Sequence, residues 1–291
     1  MPDQDTAVII AGPGTAPDVA MISLRHRHGR VDAEAELSRL RREYAGPLLV
    51  EPFSALDLPA IATHADGIVV GAAWMQDFQL LRAVARTGRP VIVQRAPAAT
   101  LEEWLSAAEY CVAEGNHEVV LCETGTRTHL PRPTLDLALV REAGRRWPVY
   151  VDVSAEPALA LAALSAGARG LLLGEDADPE LVAETRAKAA LLAPLLADDS
   201  PGTVAGARAA IDRVDAALAT LLERRAELAG LVQRLKPVGG FAGRDMGRER
   251  QIVESMAVRA PRLGADRIAL IMTAVIEAGL LASEEHDLSR A

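Results

Sequence analysis

The sequence predicts two domains of different class, an α/β (β/α)8 TIM-like barrel over residues 1–196 and an all-α domain of three helices over 204–291. Three observations predict this. Short apolar, β-branched runs recur between residues 7 and 174, most of them separated by segments of helical character. The stretch ADDSPGT at 197–203 is made of turn formers without an apolar period and reads as a linker. Beyond it the apolar spacing becomes purely helical.

The runs are AVIIAG from Ala7, VAMISL from Val19, PLLVEP from Pro47, GIVVG from Gly67, VIVQR from Val91, VVLCE from Val119, VYVDV from Val149 and GLLLG from Gly170. Continuously apolar strands of this length belong to a parallel sheet covered on both faces. Helices are expected over 32–44, 77–87, 101–114 and 179–196. Eight strand-helix units suggest a compact barrel. An open doubly wound sheet is the alternative that periodicity leaves standing. Neither GxGxxG nor GxxxxGK[ST] occurs in a strand-turn-helix context, so a nucleotide-binding sheet lacks support. In the second domain Ile211, Val214, Leu218, Leu221, Leu222, Leu228 and Val232 follow a 3.6-residue spacing, and nothing breaks the helix before Pro237. That helix runs roughly 34 residues, or about 50 Å. Shorter helices are expected over 245–260 and 264–283. Three helices with one so long cannot bury it alone, so a homodimer is expected.

Composition narrows the function. A net charge of −9 argues against nucleic acid or an anionic membrane as partner, since both demand a positive field. Aromatics at 3% leave no stacking platform for single strands. No apolar run approaches the roughly 20 residues needed to span a bilayer. The N-terminus lacks the basic region of a signal peptide. Cys111 and Cys122 form neither a disulfide framework nor a CxxC pattern. A soluble cytoplasmic protein is expected.

On the long helix Arg225 and Lys236 are eleven residues apart, about three turns, and so share a face. Arg208 lies about 100° round the helix from Arg225 and roughly 25 Å away, out of reach of the same site unless an antiparallel second chain supplies it. Asp245, Arg248 and Glu249 follow at i, i+3 and i+4 on one face of the next helix. Singly, each of these is what a solvated amphipathic helix carries outward. Together they make a charged constellation.

The order Arg…Ile-Asp-x-x-Asp…Leu-Leu-x-x-Arg-x-x-Leu-Ala…Lys, with Asp-x-x-Arg-Glu opening the next helix, resembles the all-helical class of chorismate mutases without a gap from Arg208 to Glu249. The resemblance implies a cofactor-free isomerase for a small dicarboxylate, chorismate or an amino analogue. It implies that Arg208 of the partner chain, Arg225, Lys236 and Arg248 bind the carboxylates and ether oxygen, while Asp245 and Glu249 hold the hydroxyl. In the third helix the family has Glu-x-Ser-x-x-x-Gln or Glu. Here Glu277 is followed by Gly279 and Ser283, and Ser283 is too short for direct contact with the ether oxygen. Glu284, next to it, faces about 100° away.

The first domain resembles the metal-dependent DAHP synthases, which are (β/α)8 barrels, through AGPG at 11–14, the stretch 51–81, residues 88–116, VVLCETGTRT at 119–128 and TLDLALV at 134–140. The positions that this family uses for metal fall on Gly14, Ala155 and Gly174, with Glu175 adjacent, and the last carboxylate has no counterpart. LRHRHGR at 24–30 replaces the Lys-Pro-Arg-Thr-Ser motif, and Ala73, Gln94 and Thr124 replace cations. Arg95 and Arg127 survive. Divalent cations need several oxygen, nitrogen or thiolate ligands. A barrel without metal or condensation chemistry is therefore expected. His26, His28 and His129 read as solvated, Cys122 as a buried apolar residue, and Asp152 as a side chain at a strand's C-terminal end. Two other readings remain: a binding protein that docks on another shikimate-pathway enzyme, and an active DAHP synthase.

Overall fold

A computed structural model describes residues 7–10, 19–25, 32–174, 177–196, 201–236, 238 and 240–288. The chain divides into two compact units, residues 1–199 and 200–291.

In the first unit all eight apolar runs are strands: β1 (Ala7–Ile10), β2 (Ala20–Ser23), β3 (Leu48–Glu51), β4 (Gly67–Val70), β5 (Val91–Gln94), β6 (Val119–Glu123), β7 (Val149–Asp152) and β8 (Gly170–Leu173). The helices between and after them are α1 (Ala33–Glu43), α2 (Leu58–His64), α3 (Phe78–Ala85), α4 (Leu101–Ala113), α5 (Leu137–Ala143), α6 (Ala160–Ser165) and α7 (Pro179–Leu196). Local chemistry sets where they start. Asp32, Asp77 and Asp136 accept backbone N–H groups at the first turns of α1, α3 and α5, and Thr100 forms a capping box with Glu103 at α4.

Every strand pairing is parallel, and the order β1-β8-β7-β6-β5-β4-β3-β2 never reverses. A doubly wound sheet reverses at a switch point, so the order selects the barrel. A second core agrees with it. Val69, Ile92, Val120, Cys122 and Leu172 are buried together on the inner face, backed by Met21, Leu49 and Tyr150, while the larger core lies between sheet and helices. Inner and outer residues alternate along β2–β8, as a barrel sheet requires. One β/α unit is short. Only residues 11–19 separate β1 from β2, fewer than the dozen or more that a helical crossover takes. The other seven strands are each followed by a helix.

Where β5 and β6 end, Arg95 and Glu123 form an ion pair whose side chains are 1% and 0% exposed. The Arg95 guanidinium engages both Glu123 oxygens and also donates to the carbonyls of Ala96 and Ala99 at 3.2 and 3.1 Å and to the Thr126 hydroxyl. Glu123 in turn accepts the N–H groups of Gly125 and Asp136 at 2.9 and 3.2 Å. The pair therefore fixes the β5 and β6 exits and the start of α5 in one network.

The second unit is α8 (Val204–Leu235), α9 (Met246–Arg259) and α10 (Gly264–Leu288), with α10 packed on both others. Thr203 caps α8 by accepting the Gly206 N–H at 3.1 Å. At 32 residues α8 is about 48 Å long. It ends one residue before Lys236, and α10 continues five residues past the expected Ser283. Burial is sparse: Ala217, Ile268, Met272 and Leu280 are the buried apolar side chains among the described residues of this unit. Val204, Ile211, Val214, Leu218, Leu221, Leu222, Leu228, Leu231, Val232 and Leu235 of α8 stay exposed. No helix among the described residues is long and apolar enough to cross a membrane.

Replacing Arg95 with Met leaves the Glu123 carboxylate buried without its partner, and removal of one member of such a pair costs about 3–5 kcal/mol. The urea transition of the first unit in the full chain should shift by this amount; an unchanged transition would show that the pair is not needed.

Candidate functional site

A cavity of about 290 Å³ opens in the second unit among the C-terminal part of α8, the 236–245 connection, the first turns of α9 and the middle of α10. This is the scale of a small-metabolite pocket. Five of the sequence-predicted residues line it: Arg225, Lys236, Asp245, Arg248 and Glu249. Gln233 and Arg244 join them, with Leu228, Val232, Ile252, Ile276 and Leu280 as apolar walls. Four cations face two carboxylates, so the lining suits an anion with an apolar body.

Each polar side chain has a local reason for its place. Arg225 donates from Nη1 to the Val275 carbonyl at 3.4 Å, which braces it on α10. Lys236 is the C-cap of α8 in extended conformation, and its Nζ donates to the Gly243 carbonyl at 3.1 Å. Gln233 accepts the Gly240 N–H at 3.0 Å. Gly240 has φ +64° and ψ −158°, a backbone region open essentially to glycine alone. The connection is thus stitched to α8 at two points. Asp245 is the N-cap of α9 and accepts the Arg248 N–H at 2.9 Å. That backbone donor, helped by the Lys236 and Arg248 charges, holds its carboxyl below the usual range. Glu249 accepts two hydrogen bonds from Arg244, at 2.9 and 2.8 Å, which likewise hold its carboxyl low. Arg244 completes its fork on Glu277 of α10 at 3.0 Å.

Two predicted residues lie elsewhere. Arg208 is exposed near the start of α8 and does not line the cavity. Ser283 also does not line it. It stands instead against α8, its Oγ 3.8 Å from where a Gly230 Cβ would be, an ordinary van der Waals contact. Gly279 is buried, with the Ala229 Cβ and Arg225 Nη1 each 3.8 Å from its missing Cβ position. Among the described residues of α10, Ile276 and Leu280 contribute to the wall. Sequence reasoning missed Arg244. It directly precedes the Asp-x-x-Arg-Glu motif, but its partner Glu277 is 33 residues away.

The barrel mouth is committed differently. Asp152 accepts the Ser154 N–H and hydroxyl at 2.9 and 2.5 Å. Gln94 accepts the Ala72 N–H at 3.2 Å, and the Thr124 hydroxyl donates to the Arg95 carbonyl at 3.2 Å. Arg95 is spent on Glu123, Arg127 and His129 are exposed, and burial pushes the Cys122 thiol well above its ordinary value. Ala73 and Ala155 are exposed alanines, and a Cβ on Gly174 would meet the Ser154 Oγ at 3.3 Å. Among the described residues no group of three or more His, Cys, Asp or Glu side chains converges. Hard-cation sites need several free oxygen or nitrogen donors, and the donors named here among the described residues are already bonded or buried; by themselves they do not fit a divalent metal. Gly14, Glu175, His26 and His28 lie outside the described residues.

The family model for the DAHP synthetase I family matches residues 31–192, and that for chorismate mutase type II matches residues 207–282. Among curated proteins the chain is 33% identical over 150 residues to a phospho-2-dehydro-3-deoxyheptonate aldolase of Thermotoga maritima, covering 47% of this chain and 44% of that protein. It is 26% identical over 164 residues to a 2-dehydro-3-deoxyphosphooctonate aldolase of Acidithiobacillus ferrooxidans, covering 49% and 58%. The chain thus spans about half the length of the curated relatives it matches. The crystal structure of a Thermotoga maritima DAHP synthase superposes with a TM-score of 0.57 at 25% identity over 67% of this chain and 70% of that one. A truncated form of the synthase from the same organism gives 0.55 at 29% identity over 64% and 88%.

An alanine at Gly240 would be held at φ +64°, a strain of about 1–3 kcal/mol. Gly240→Ala should lower the thermal stability of the helical unit and raise hydrogen exchange in 236–245; unchanged exchange would show that the connection adapts freely.

Proposed function

Because the chain belongs to the DAHP synthetase I family and carries a chorismate mutase type II domain, we propose that it isomerises chorismate, or its 4-amino analogue, to the prephenate-type product in the helical unit, while the barrel no longer performs condensation. The observation that carries this reading is the convergence of Arg225, Lys236, Arg248, Asp245 and Glu249 on one cavity.

The reaction asks little chemistry of the protein. One C–O bond breaks and one C–C bond forms within the same molecule, with no proton transferred and no electron gained or lost. Arg225 and Arg248 would bind the carboxylates and hold the compact conformer, since orientation alone can supply much of such a barrier. Lys236 would face the ether oxygen as negative charge grows on it, an interaction worth a few kcal/mol when preorganised. Asp245 and Glu249 would accept from the ring hydroxyl or ammonium. The apolar α10 wall leaves Lys236 as the main group at the ether oxygen, so turnover slower than that of a mutase with Gln or Glu at position 283 is expected.

Completion of the site needs a second copy. The exposed stripe of α8 is the surface for it, because burying each large aliphatic side chain contributes about 1.5–3 kcal/mol. An antiparallel partner would bring its own Arg208 to the open end of the cavity. The absence of a cofactor follows from the reaction itself. For the barrel, the support is the bonded state of Asp152, Gln94 and Arg95, which leaves a scaffold or regulatory role. A cytoplasmic location fits the two buried, free cysteines. A second reading rests on Gly279 and Ser283: a site that binds the dicarboxylate without turning it over and modulates another shikimate-pathway enzyme.

Purified full-length protein should consume chorismate or the amino analogue, followed by loss of absorbance, and should not consume phosphoenolpyruvate when divalent metal is added. Arg225→Ala and Arg208→Ala should each lower kcat/KM by at least about 100-fold. Unfolded together and refolded as a mixture, the two variants should regain about a quarter of wild-type activity, because half the dimers then hold one intact site. No regain would place Arg208 outside the site; chorismate binding without turnover would favour the second reading.

A further inference from the structure

The polar side chain with the most directed contacts in the cavity is not one of the free cations. Arg244 spends its guanidinium on two elements at once: Nε and Nη2 grip both oxygens of Glu249 on α9, and Nη1 reaches Glu277 on α10. Its side chain is 20% exposed and that of Glu249 is 15% exposed, so the grip is shielded from water. A bidentate fork uses one lone pair on each carboxylate oxygen and fixes the carboxylate plane. Glu249 lines the cavity, and its remaining lone pairs can only accept. Arg244 is therefore consumed internally, and its charge adds little to anion binding. What it determines is the pose of its neighbour.

We propose that Arg244 is a positioning residue that presents the Glu249 carboxylate, in one fixed plane, to a hydrogen-bond donor on the substrate, a hydroxyl or an ammonium. This rests on the isomerase reading of the same cavity. Glu277 anchors the fork to α10, so the first turn of α9 and the wall carrying Ile276 are held at a set separation. The charged groups acting on Glu249 are Arg244, Lys236 at the end of α8 and Asp245 at the cap of α9, with Glu277 of α10 across Arg244, while Arg225 of α8 and Arg248 of α9 line the same cavity. Of these the Arg244 hydrogen bonds do most to keep the Glu249 carboxyl low, with the Lys236 charge assisting and Asp245 opposing. The sign of the pH effect follows. Acceptance requires the ionised carboxylate, so function is lost as pH falls through the Glu249 value, and removal of Arg244 raises that value. The acid limb then moves to higher pH.

The test compares wild type, Arg244→Gln and Arg244→Lys as full-length chains, with chorismate as the probe. Arg244→Gln should lower kcat/KM about 10- to 100-fold, chiefly through KM, with the acid limb displaced upward. Arg244→Lys, which keeps the charge but not the fork, should lose activity while its acid limb stays nearer wild type. If Arg244→Gln fails to fold, the Arg244→Lys loss carries the test. Wild-type kcat/KM and an unmoved limb in the variants overturn the proposal. If wild type binds chorismate by calorimetry without turnover, the isomerase reading falls, and the affinities of the same variants, measured at acid and neutral pH, decide the role of Arg244. Absence of chorismate binding to wild type overturns both.

Discussion

The helical unit depends on where the apolar stripe of α8 goes. A helix of 32 residues carries ten large aliphatic side chains that remain exposed in the single chain, while only Ala217 and the backbone of Gly230 are buried along it. The hydrophobic term is the largest favourable one available to such a segment, and helix propensity alone is a weak substitute. On the proposed reading, a second copy covers that stripe and in doing so delivers Arg208 to the open end of the cavity. Stability and chemistry then rest on the same contact.

Within the cavity a division of labour is visible among like residues. Arg244 is neutralised by Glu249 and Glu277, and Asp245 is used as a helix cap. Arg225, braced only on a carbonyl, and Lys236, sharing one of its three donors with Gly243, retain capacity for a ligand. The barrel shows the converse. The barrel's strand order is retained, and Asp152, Gln94 and Thr124 at the mouth bond within the same unit. On the proposed reading, fold and function separate here within a single chain.

Much of this was legible in the sequence, for physical reasons. Eight strands were readable because each is buried on both faces and so is written as a continuous apolar run. Barrel and open sheet could not be told apart, since that depends on the order of pairing. The short β1–β2 connection was plain in the spacing, but counting runs as strand-helix units concealed it. Arg225 and Lys236 were found because three helical turns put them on one face. Arg244 was not, because its role depends on Glu277 in another helix. Ser283 was placed by analogy at the cavity, whereas its hydroxyl stands near Gly230 of α8 and does not line it.

The direct measurement is sedimentation equilibrium of the full-length chain at micromolar concentration, with chorismate turnover recorded on the same sample. Coverage of the α8 stripe by a second copy predicts a species of twice the 30.8 kDa chain mass, with activity that falls on dilution into the monomer. A 30.8 kDa species that turns over chorismate at full rate would contradict it, because the cavity would then be complete without Arg208 from a partner.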